Sequence, residues 1–240
     1  MTGSSYDPAR ALLRTERHEC AYISGRTAQL EFLSPRIALD GARYRLLLEQ
    51  GFRRSGRYIY RPACPGCNAC HSLRLPVAHF RPRRRHRRCQ RNNADLHITP
   101  HHPVVTEEHL ALYQRYLAHR HPGSAMANPT RTEAVRFLTA PWCPTLLYEL
   151  RAEADGPLLA VAVTDLLPGA LSAVYTFYAP EAERRGLGNL AVLLQLSEAR
   201  RLGAHHVYLG YWIPEAPAMA YKADFRPHEV YDGQRWQWVA

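Results

Sequence analysis

Lysine is almost missing from this sequence. Of its 31 lysine and arginine residues one is a lysine, Lys222, and the formal net charge of the 240 residues is +10. Arginine can replace lysine at most exposed positions, so Lys222 either survives by chance or marks a place where a compact ammonium group is required. The excess of positive charge predicts a polyanionic partner such as nucleic acid.

Long apolar runs and a leader pattern are missing too. No stretch approaches the roughly 20 apolar residues of a membrane span. The start, Met1-Thr-Gly-Ser-Ser, lacks the basic and then apolar layout of a signal peptide. We therefore expect a cytoplasmic protein with no membrane partner, in which the six cysteines are thiols or metal ligands rather than disulfides. The sequence carries no prediction of oligomeric state.

The second half of the chain contains the pattern of a βαβ crossover. Residues 171–178 alternate between two faces, residues 187–203 have apolar side chains at helical spacing, and residues 206–213 alternate again. The turn before the helix reads Glu183-Arg-Arg-Gly-Leu-Gly188, and its backbone N–H and guanidinium groups suit phosphate. Acetyl-CoA-dependent N-acyltransferases have a similar turn under the cofactor, with Arg or Gln in the first position. Here that position holds an acidic residue, which would repel the phosphate.

The order of elements predicts two domains. Residues 98–105 are rich in proline and histidine and form the candidate linker between an N-terminal domain, 1–97, and a C-terminal domain, 106–240. Two helices, three antiparallel strands and the crossover follow, which is the order of an acetyltransferase (GNAT-type) fold. We therefore predict an α/β (α+β) protein with a GNAT-type C-terminal domain and a smaller, cysteine-containing N-terminal α+β domain.

A tight loop in the first half collects three cysteines. Zinc and iron–sulfur clusters need four ligands, so a fourth would come from elsewhere, with Cys20 or His18 as the first choice and Cys89 as an alternative. The predicted ligands of a possible zinc ion or iron–sulfur cluster are Cys20, Cys64, Cys67 and Cys70. Structural thiols and a redox-sensitive dithiol are the other interpretations of this loop.

Arginine dominates residues 81–91, which contain no acidic residue. A solvated helix face is the usual explanation of a charged run. Because nothing here offsets the charge, we favour a helix that contacts phosphates. The predicted nucleic-acid contacts, from this run and from the glycine-rich turn, are Arg84, Arg87, Arg88, Arg184, Arg185, Gly186 and Gly188.

Segments from both halves together resemble bacterial aminoacyl-tRNA–protein transferases. In the first half they are His18-x-Cys20-x-Tyr22, Gly51-Phe-Arg-Arg-Ser-Gly56 and the cysteine loop with its flanks, from Tyr60 to Val77. In the second half they include Arg185-Gly-Leu-Gly188, Tyr208-Leu-Gly-Tyr-Trp-Ile-Pro214 and Met219-x-Tyr-Lys222. The similarity covers nearly all of residues 18–232, and it is greatest to the branch that transfers leucine in the bacterial N-degron pathway.

The resemblance implies transfer of leucine from leucyl-tRNA to the α-amino group of proteins that begin with Asp or Glu, which marks them for degradation. No cofactor is required. The reaction is aminolysis of an ester, and an α-amine of pKa about 8 needs modest help to attack, so positioning and a proton path can supply most of the rate. An acetyl-CoA-dependent N-acetyltransferase and a non-catalytic, metal-containing nucleic-acid regulator are the alternative functions.

The implied reaction requires three kinds of side chain. The candidate proton-handling, catalytic residues are Lys222, Tyr211 and Asp165. An apolar pocket must hold the aminoacyl side chain, and its candidates are Tyr175, Phe177 and Trp212. The carboxylate of the acceptor protein requires a nearby cation without another partner, for which the candidates are Arg53, Arg54 and Arg74.

Overall fold

The computed structural model describes residues 11–120, 122 and 128–240. The start of the chain, on which the expectation of no signal peptide rests, lies outside these residues. Within them, no helix is both long and apolar enough to cross a membrane.

The first part of the chain forms two small sheets and one helix. Its elements are β1 (Leu12–Arg14), β2 (His18–Glu19), β3 (Thr27–Ala28), β4 (Leu30–Leu33), α1 (Gly41–Glu49), β5 (Arg53–Ser55) and β6 (Tyr58–Pro62). The larger sheet has the strand order β1-β4-β6-β5, and β2 pairs with β3. Helix α1 begins at Gly41, because the side chain of Asp40 accepts a hydrogen bond from the backbone N–H of Arg43 at 2.7 Å and so caps the helix.

Most of the remaining chain builds one eight-stranded sheet, with the order β14-β13-β7-β12-β11-β10-β9-β8. The elements are β7 (His71–Pro76), α2 (Arg84–Arg91), β8 (His97–His101), α3 (Glu107–Arg120), α4 (Arg131–Leu138), β9 (Thr145–Arg151), β10 (Leu158–Leu167), β11 (Ala170–Tyr178), α5 (Leu187–Arg201), β12 (His206–Trp212), β13 (His228–Tyr231) and β14 (Trp236–Val239). Two 3₁₀ helices, Pro180–Arg185 and Pro217–Asp224, follow β11 and β12.

The predicted crossover is confirmed, since β11 and β12 are parallel and α5 connects them. Their pairing ends at Ser172 and Tyr208, and beyond this point the register of β12 against β7 shifts before Gly210. Gly210 has a φ of +71°, and a Cβ there would lie 3.2 Å from Nη1 of Arg53. Glycine is therefore favoured at this position for two reasons: it adopts a positive φ without strain, and it leaves room for the side chain of Arg53. The two strands separate here, and a cleft opens between them.

Strands that precede residue 106 belong to this sheet as well. β7 lies between β12 and β13, antiparallel to both, and β8 forms an edge of the sheet against β9. The predicted linker, 98–105, is therefore partly strand, because Ile98 packs on the core while β8 pairs with β9. The division of the chain into two domains near residue 97 stays a prediction.

The apolar core holds the crossover in place. Leu187 at the start of α5 is fully buried in the same core cluster as Val163 of β10, and further along α5 Leu196 belongs to one cluster with Leu73 of β7. Burying a leucine or valine side chain contributes about 1.5–3 kcal/mol. Helix α5, and with it the glycine-rich turn at its start, therefore shares core clusters with a strand on each side of the crossover, β10 and β7.

Candidate active site where two strands separate

A cleft with a volume of about 500 Å³ opens where β11 and β12 separate. It is bordered by the second half of β11, the start of α5 and the 3₁₀ helix Pro217–Asp224, and Arg53 reaches it from β5. The carboxyl ends of two neighbouring parallel strands meet here, which is where open α/β sheets bind their ligands. This cleft is therefore the candidate active site.

Lys222 lies in the wall of the cleft, with 8% of its surface exposed. Its Nζ donates hydrogen bonds to the backbone oxygens of Leu209, at 2.7 Å, and Tyr211, at 2.6 Å. Burial, with a smaller contribution from the charge of Arg53, lowers the pKa of Lys222 to about 7. A neutral amine has two N–H donors, which the two carbonyls satisfy, and its lone pair remains available for a proton. Lys222 can thus gain and lose a proton near neutral pH.

Arg53 crosses the gap between the separating strands. Its Nη2 donates to the backbone oxygen of Val174 on β11 at 3.5 Å, and its guanidinium group lies beside Gly210 of β12. The same group lies 5.8 Å from the ring centroid of Tyr211. It forms an ion pair with no carboxylate among the described residues. Arg53 is therefore a cation in the cleft that a ligand can use.

The hydroxyl group of Tyr211 has another partner. It donates a hydrogen bond to the backbone oxygen of Gly51 at 2.8 Å, and burial raises its pKa well above the usual value of 10.0. The backbone oxygen of Tyr211, rather than its hydroxyl group, reaches Lys222. In this arrangement Tyr211 supports the amine of Lys222 and does not itself offer a proton to the cleft.

Arg54 and Asp165 pair with each other in the interior. Both side chains are fully buried, and Arg54 donates to the carboxylate from Nε at 2.6 Å and from Nη2 at 2.8 Å. The hydroxyl group of Thr145 donates to the same carboxylate at 2.7 Å. Neither Arg54 nor Asp165 lines the cleft. The predicted acceptor cation Arg54 and the predicted proton handler Asp165 therefore form an ion pair within the fold.

Replacing Arg54 with methionine is expected to lower the free energy of unfolding by about 3–5 kcal/mol, because the carboxylate of Asp165 stays buried without its cation. The double variant Arg54→Met/Asp165→Leu removes the uncompensated charge and should recover much of that loss. Urea unfolding of the three proteins at pH 7 measures both effects. An Arg54→Met protein as stable as the parent would contradict this ion pair.

Arg74 is occupied in a similar way. Its Nε donates to Glu229 at 2.6 Å and its Nη1 to Glu49 at 2.5 Å, while the guanidinium group lies 4.1 Å from a ring centroid of Trp236. Arg74 is not among the residues that line the cleft. Of the three predicted acceptor cations, the structure brings Arg53 to the cleft and pairs the other two with carboxylates.

Tyrosines form the aromatic part of the cleft. Tyr175 lines it, as do Tyr116 of α3 and Tyr178 of β11. The ring centroids of Tyr116 and Tyr178 are 5.0 Å apart, and those of Tyr116 and Tyr175 are 6.2 Å apart, both with edge-to-face geometry. From the sequence, the apolar face of this helix consists of Leu110, Tyr113 and Leu117, and Tyr116 is not part of it. The three-residue spacing between Tyr113 and Tyr116 is the signal that could have found Tyr116, because residues three apart lie close together on a helix surface.

Two of the three predicted pocket residues lie elsewhere. Phe177 has 1% of its surface exposed and packs in the core against Tyr113, with ring centroids 5.1 Å apart. Trp212 packs between His71 and His228, at centroid distances of 6.3 Å and 6.2 Å. Neither lines the cleft. The alternation of a strand tells which side chains share a face, but not how far along that face the cleft extends.

Helix α2 packs against α5 beside the glycine-rich turn. Arg84, Arg87 and Arg88 are exposed, and the first two form a shallow surface groove with Arg91. Arg184 of the turn is exposed as well. The predicted phosphate contacts of the helix and the turn are thus neighbours on one side of the cleft.

The turn itself is held by α2 and the residues after it. Arg185 donates from Nε to Asn93 at 2.9 Å and from Nη2 to Asp95 at 2.5 Å, and Asn93 donates back to the backbone oxygen of Arg185. Gly186 has a φ of +68°, and together with Gly188 it lines the cleft. Arg185 therefore orients the turn, while the two glycines leave room beside it for a ligand.

The four predicted metal ligands lie near one another. Burial raises the pKa of Cys70 to about 12, and the neighbouring Cys64, Cys20 and Cys67 add to the rise. The thiol of Cys67 accepts a hydrogen bond from Nη1 of Arg26 at 3.2 Å. Across residues 11–120, 122 and 128–240, however, no three His, Cys, Asp or Glu side chains are arranged so that they could hold a metal ion. As arranged, these residues do not fit zinc or an iron–sulfur cluster.

Comparison with known proteins identifies the family. A model described as the N terminus of arginine-tRNA-protein transferase matches residues 18–88, and one described as its C terminus matches residues 108–232. The chain belongs to the arginine-tRNA–protein transferase family. The resemblance noted from the motifs is confirmed, and the chain is a transferase of a family whose substrates are aminoacyl-tRNA and protein.

Relatives named aspartate/glutamate leucyltransferase match almost the whole chain. The relative from Halorhodospira halophila is 75% identical over 226 residues, covering 94% of this chain and 96% of its own length. The relative from Alkalilimnicola ehrlichii is 54% identical over 226 residues, covering 94% of each chain. This chain is thus similar in sequence to the leucyl-transferring members of the family along nearly its full length.

Solved structures show the fold. The C-terminal domain of an Agrobacterium fabrum protein assigned as a lysylphosphatidylglycerol synthetase aligns with a TM-score of 0.50 at 12% identity, covering 71% of this chain and 58% of that one. A tandem GNAT protein from the clavulanic acid biosynthesis pathway aligns with a TM-score of 0.48 at 14% identity, covering 95% and 62%. The predicted α/β fold is confirmed, with the crossover of β11, α5 and β12 at its centre.

Proposed function

We propose that this protein transfers leucine from leucyl-tRNA to the α-amino group of proteins that begin with Asp or Glu, which marks them for the N-end rule pathway of degradation in the cytoplasm. The relatives at 75% and 54% identity are named for this activity. The observation that carries the proposal is that one cleft holds both the buried amine of Lys222 and the guanidinium group of Arg53, which has no carboxylate partner among the described residues.

The basic surface fits the tRNA behind the reacting end. Helix α2 presents its arginines beside the glycine-rich turn, and the turn borders the cleft. A tRNA whose phosphates lie along α2 could therefore place its esterified 3′ end between β11 and β12. Contacts of this kind release counterions, so they give affinity that depends strongly on salt and little on sequence.

The acceptor requires a cation for its carboxylate and a site for its amine. Arg53 meets the first requirement, because it lies within the cleft and its planar fork can bind a carboxylate through two hydrogen bonds. The charge of Arg53 also contributes to the low pKa of Lys222. A positive charge in the cleft, such as that of Arg53, also lowers the pKa of an acceptor amine bound there and so favours the neutral form, which is the form that attacks.

The chemistry then needs one proton path. The α-amine attacks the carbonyl carbon of the leucyl ester, the bond from this carbon to the ribose oxygen breaks, and an amide bond forms. The amine releases a proton, which the neutral Nζ of Lys222 accepts, and the ribose oxygen takes up a proton as it departs. Because the pKa of Lys222 is about 7, it can serve in both directions at neutral pH.

An assay with two labelled donors tests the proposal. The full chain is incubated with labelled leucyl-tRNA or labelled acetyl-CoA and a peptide that begins with Asp, with matched peptides that begin with Asn or with Nα-acetylated Asp as controls. We expect label from leucyl-tRNA alone, and on the Asp peptide alone. Label from acetyl-CoA would favour an N-acetyltransferase, although Glu183 in the turn disfavours its pyrophosphate. Label from neither donor would favour a nucleic-acid regulator.

Replacing Arg53 with methionine is expected to lower kcat/KM for the Asp peptide by about thirtyfold, which corresponds to one charged hydrogen-bonded contact of about 2 kcal/mol. The preference for the Asp peptide over the Asn peptide should fall by the same factor, while the Kd of leucyl-tRNA changes little. Arg57→Met, at a nearby exposed position, is the matched control. An unchanged preference in Arg53→Met would show that another residue binds the carboxylate.

A further inference from the structure

The mouth of the cleft holds a carboxylate in the midst of a basic surface. Glu183 belongs to the 3₁₀ helix Pro180–Arg185 and lines the cleft with half of its side chain exposed. No hydrogen-bond donor of the described residues reaches its carboxylate, and the nearest basic group is Nε2 of His119 at 3.7 Å. Two residues earlier, the carboxylate of Glu181 accepts two hydrogen bonds from Nη2 of Arg115, at 2.5 Å and 2.7 Å. Of the two acidic residues of this 3₁₀ helix, Glu181 is hydrogen-bonded to an arginine on the surface, whereas Glu183 lines the cleft and has only the imidazole of His119 within ion-pairing distance among the described residues.

Aromatic rings surround the same place. Tyr116 and Tyr178 line the cleft with Glu183, and their ring centroids are 5.0 Å apart. Burial raises the pKa of Tyr116 to about 12, and burial also raises the pKa of Tyr178, so both rings carry neutral phenols at neutral pH. The faces of neutral aromatic rings, together with a carboxylate, are the surroundings that proteins use to bind an organic cation.

The two charges of this mouth match an aminoacyl nucleotide. Arg120 lines the cleft beside Tyr116 and can bind a phosphate, whereas Glu183 can bind a cation. The end of an aminoacyl-tRNA carries both, because its phosphodiester is an anion and the α-amino group of its amino acid is largely protonated at pH 7. Acetyl-CoA carries phosphates but no ammonium group. A carboxylate here costs affinity for a purely anionic ligand and gains affinity for an aminoacyl ester.

We propose that Glu183, flanked by Tyr116 and Tyr178, binds the α-ammonium group of the aminoacyl donor and so selects donors with a free amino group. This proposal rests on the proposed function, since it assumes that the cleft receives an aminoacyl ester. It assigns a selective role to the position where the turn departs from the acetyl-CoA pattern.

The test compares Glu183→Gln with Glu181→Gln, which removes the same charge from the same 3₁₀ helix. The probes are leucyl-tRNA and two small analogues, adenosine with leucine joined to its 3′ position by an amide and the Nα-acetylated form of that compound. We expect the parent protein and Glu181→Gln to bind the free-amine analogue at least about tenfold more tightly than the acetylated one, and Glu183→Gln to bind both equally. The kcat/KM for leucyl-tRNA should fall about tenfold in Glu183→Gln alone.

The direction in which each variant changes its interaction with leucyl-tRNA separates a specific role of Glu183 from the general effect of removing a negative charge. Removing any acidic residue beside bound RNA should strengthen tRNA binding, so a loss in Glu183→Gln and no loss in Glu181→Gln supports the assignment. If Glu183→Gln keeps the parent's preference for the free-amine analogue, or if both variants lose it alike, the assignment is overturned. If the parent protein and Glu181→Gln transfer no leucine from tRNA to the Asp peptide, the proposed function itself fails, whatever the analogues show.

Discussion

Replacing Lys222 with methionine is expected to lower the rate of leucine transfer by about a hundredfold or more, the usual contribution of a general acid and base. The Kd of leucyl-tRNA should change little, because Nζ binds the backbone oxygens of Leu209 and Tyr211 rather than the basic surface. Single-turnover transfer with saturating leucyl-tRNA measures the rate, and filter binding measures the affinity. A Lys222→Met protein with the parent's rate would remove Lys222 from the mechanism.

The pH dependence of the transfer rate tests the role of Lys222 in a second way. The pKa of Lys222 is about 7 in the folded protein and 10.5 in the unfolded chain, so the neutral base forms as pH rises through about 7. The rate of the parent protein should therefore rise between pH 6 and pH 8, about one unit either side of that pKa. In Lys222→Met this step near pH 7 should disappear, which leaves the rise set by the acceptor's α-amine with its pKa of about 8, and Lys222→Arg, which keeps the charge but cannot release a proton, should behave in the same way.

The lowered pKa of Lys222 also makes the free energy of unfolding depend on pH. Between pH 7 and 10.5 the unfolded chain holds a proton on Lys222 that the folded protein has released, so this residue costs stability that is regained as pH rises across that window. Below about pH 7 the cost is complete. The difference in unfolding free energy between Lys222→Met and the parent should therefore shift in favour of the parent from pH 7 towards pH 10. Urea unfolding at the two pH values measures it.

Changing Arg84, Arg87 and Arg91 together to glutamine is expected to weaken the binding of leucyl-tRNA about a hundredfold at low salt, because three phosphate contacts are lost. The slope of log affinity against log salt should fall by about two for the same reason. Glutamine is a good helix former, so α2 should be retained. At saturating leucyl-tRNA the single-turnover rate should stay close to that of the parent.

A triple variant with equal loss of charge is the control for this experiment. Arg43, Arg131 and Arg201 lie on α1, α4 and α5, and all three are exposed. Their replacement by glutamine should leave the salt slope near that of the parent. If both triple variants lose the same affinity, binding depends on net charge alone, and α2 has no special place in it.

Local patterns in the sequence predicted those parts of the fold that depend on near neighbours. Asp40 caps α1, and the side chains of Thr130 and Glu133 form a capping box at the start of α4, and these residue types are typical of helix starts. The crossover and its glycine-rich turn were also predicted, because alternation, helical spacing and glycine positions all lie within about fifty residues of one another.

Pairings across long stretches of chain could not be predicted from such patterns. Arg54 and Asp165 are 111 residues apart, and Arg74 and Glu229 are 155 residues apart. An arginine in a strand has the same local pattern whether it is free or paired. The structure therefore had to decide which of the candidate cations reaches the cleft, and it brings Arg53 there.

The cleft's tyrosines show a different limit. Tyr116 reaches Tyr178 because α3 crosses β11, and the crossing depends on how the core packs. Conversely, Asp165 was a candidate proton-handling residue, and in the structure its carboxylate pairs with the buried guanidinium group of Arg54. A polar residue in a strand indicates a partner, and sequence alone does not tell whether that partner is a ligand or another side chain.

The central position of β7 has a consequence for biosynthesis. One edge of this strand pairs with β12 and the other with β13, and both partners come from much later in the chain. Until β12 has been made, a strand with fully buried leucines has no partner on either side. Nascent chains of this protein should thus depend on the holdase chaperones that shield such strands, and overproduction at high temperature should favour aggregation before the active site can form.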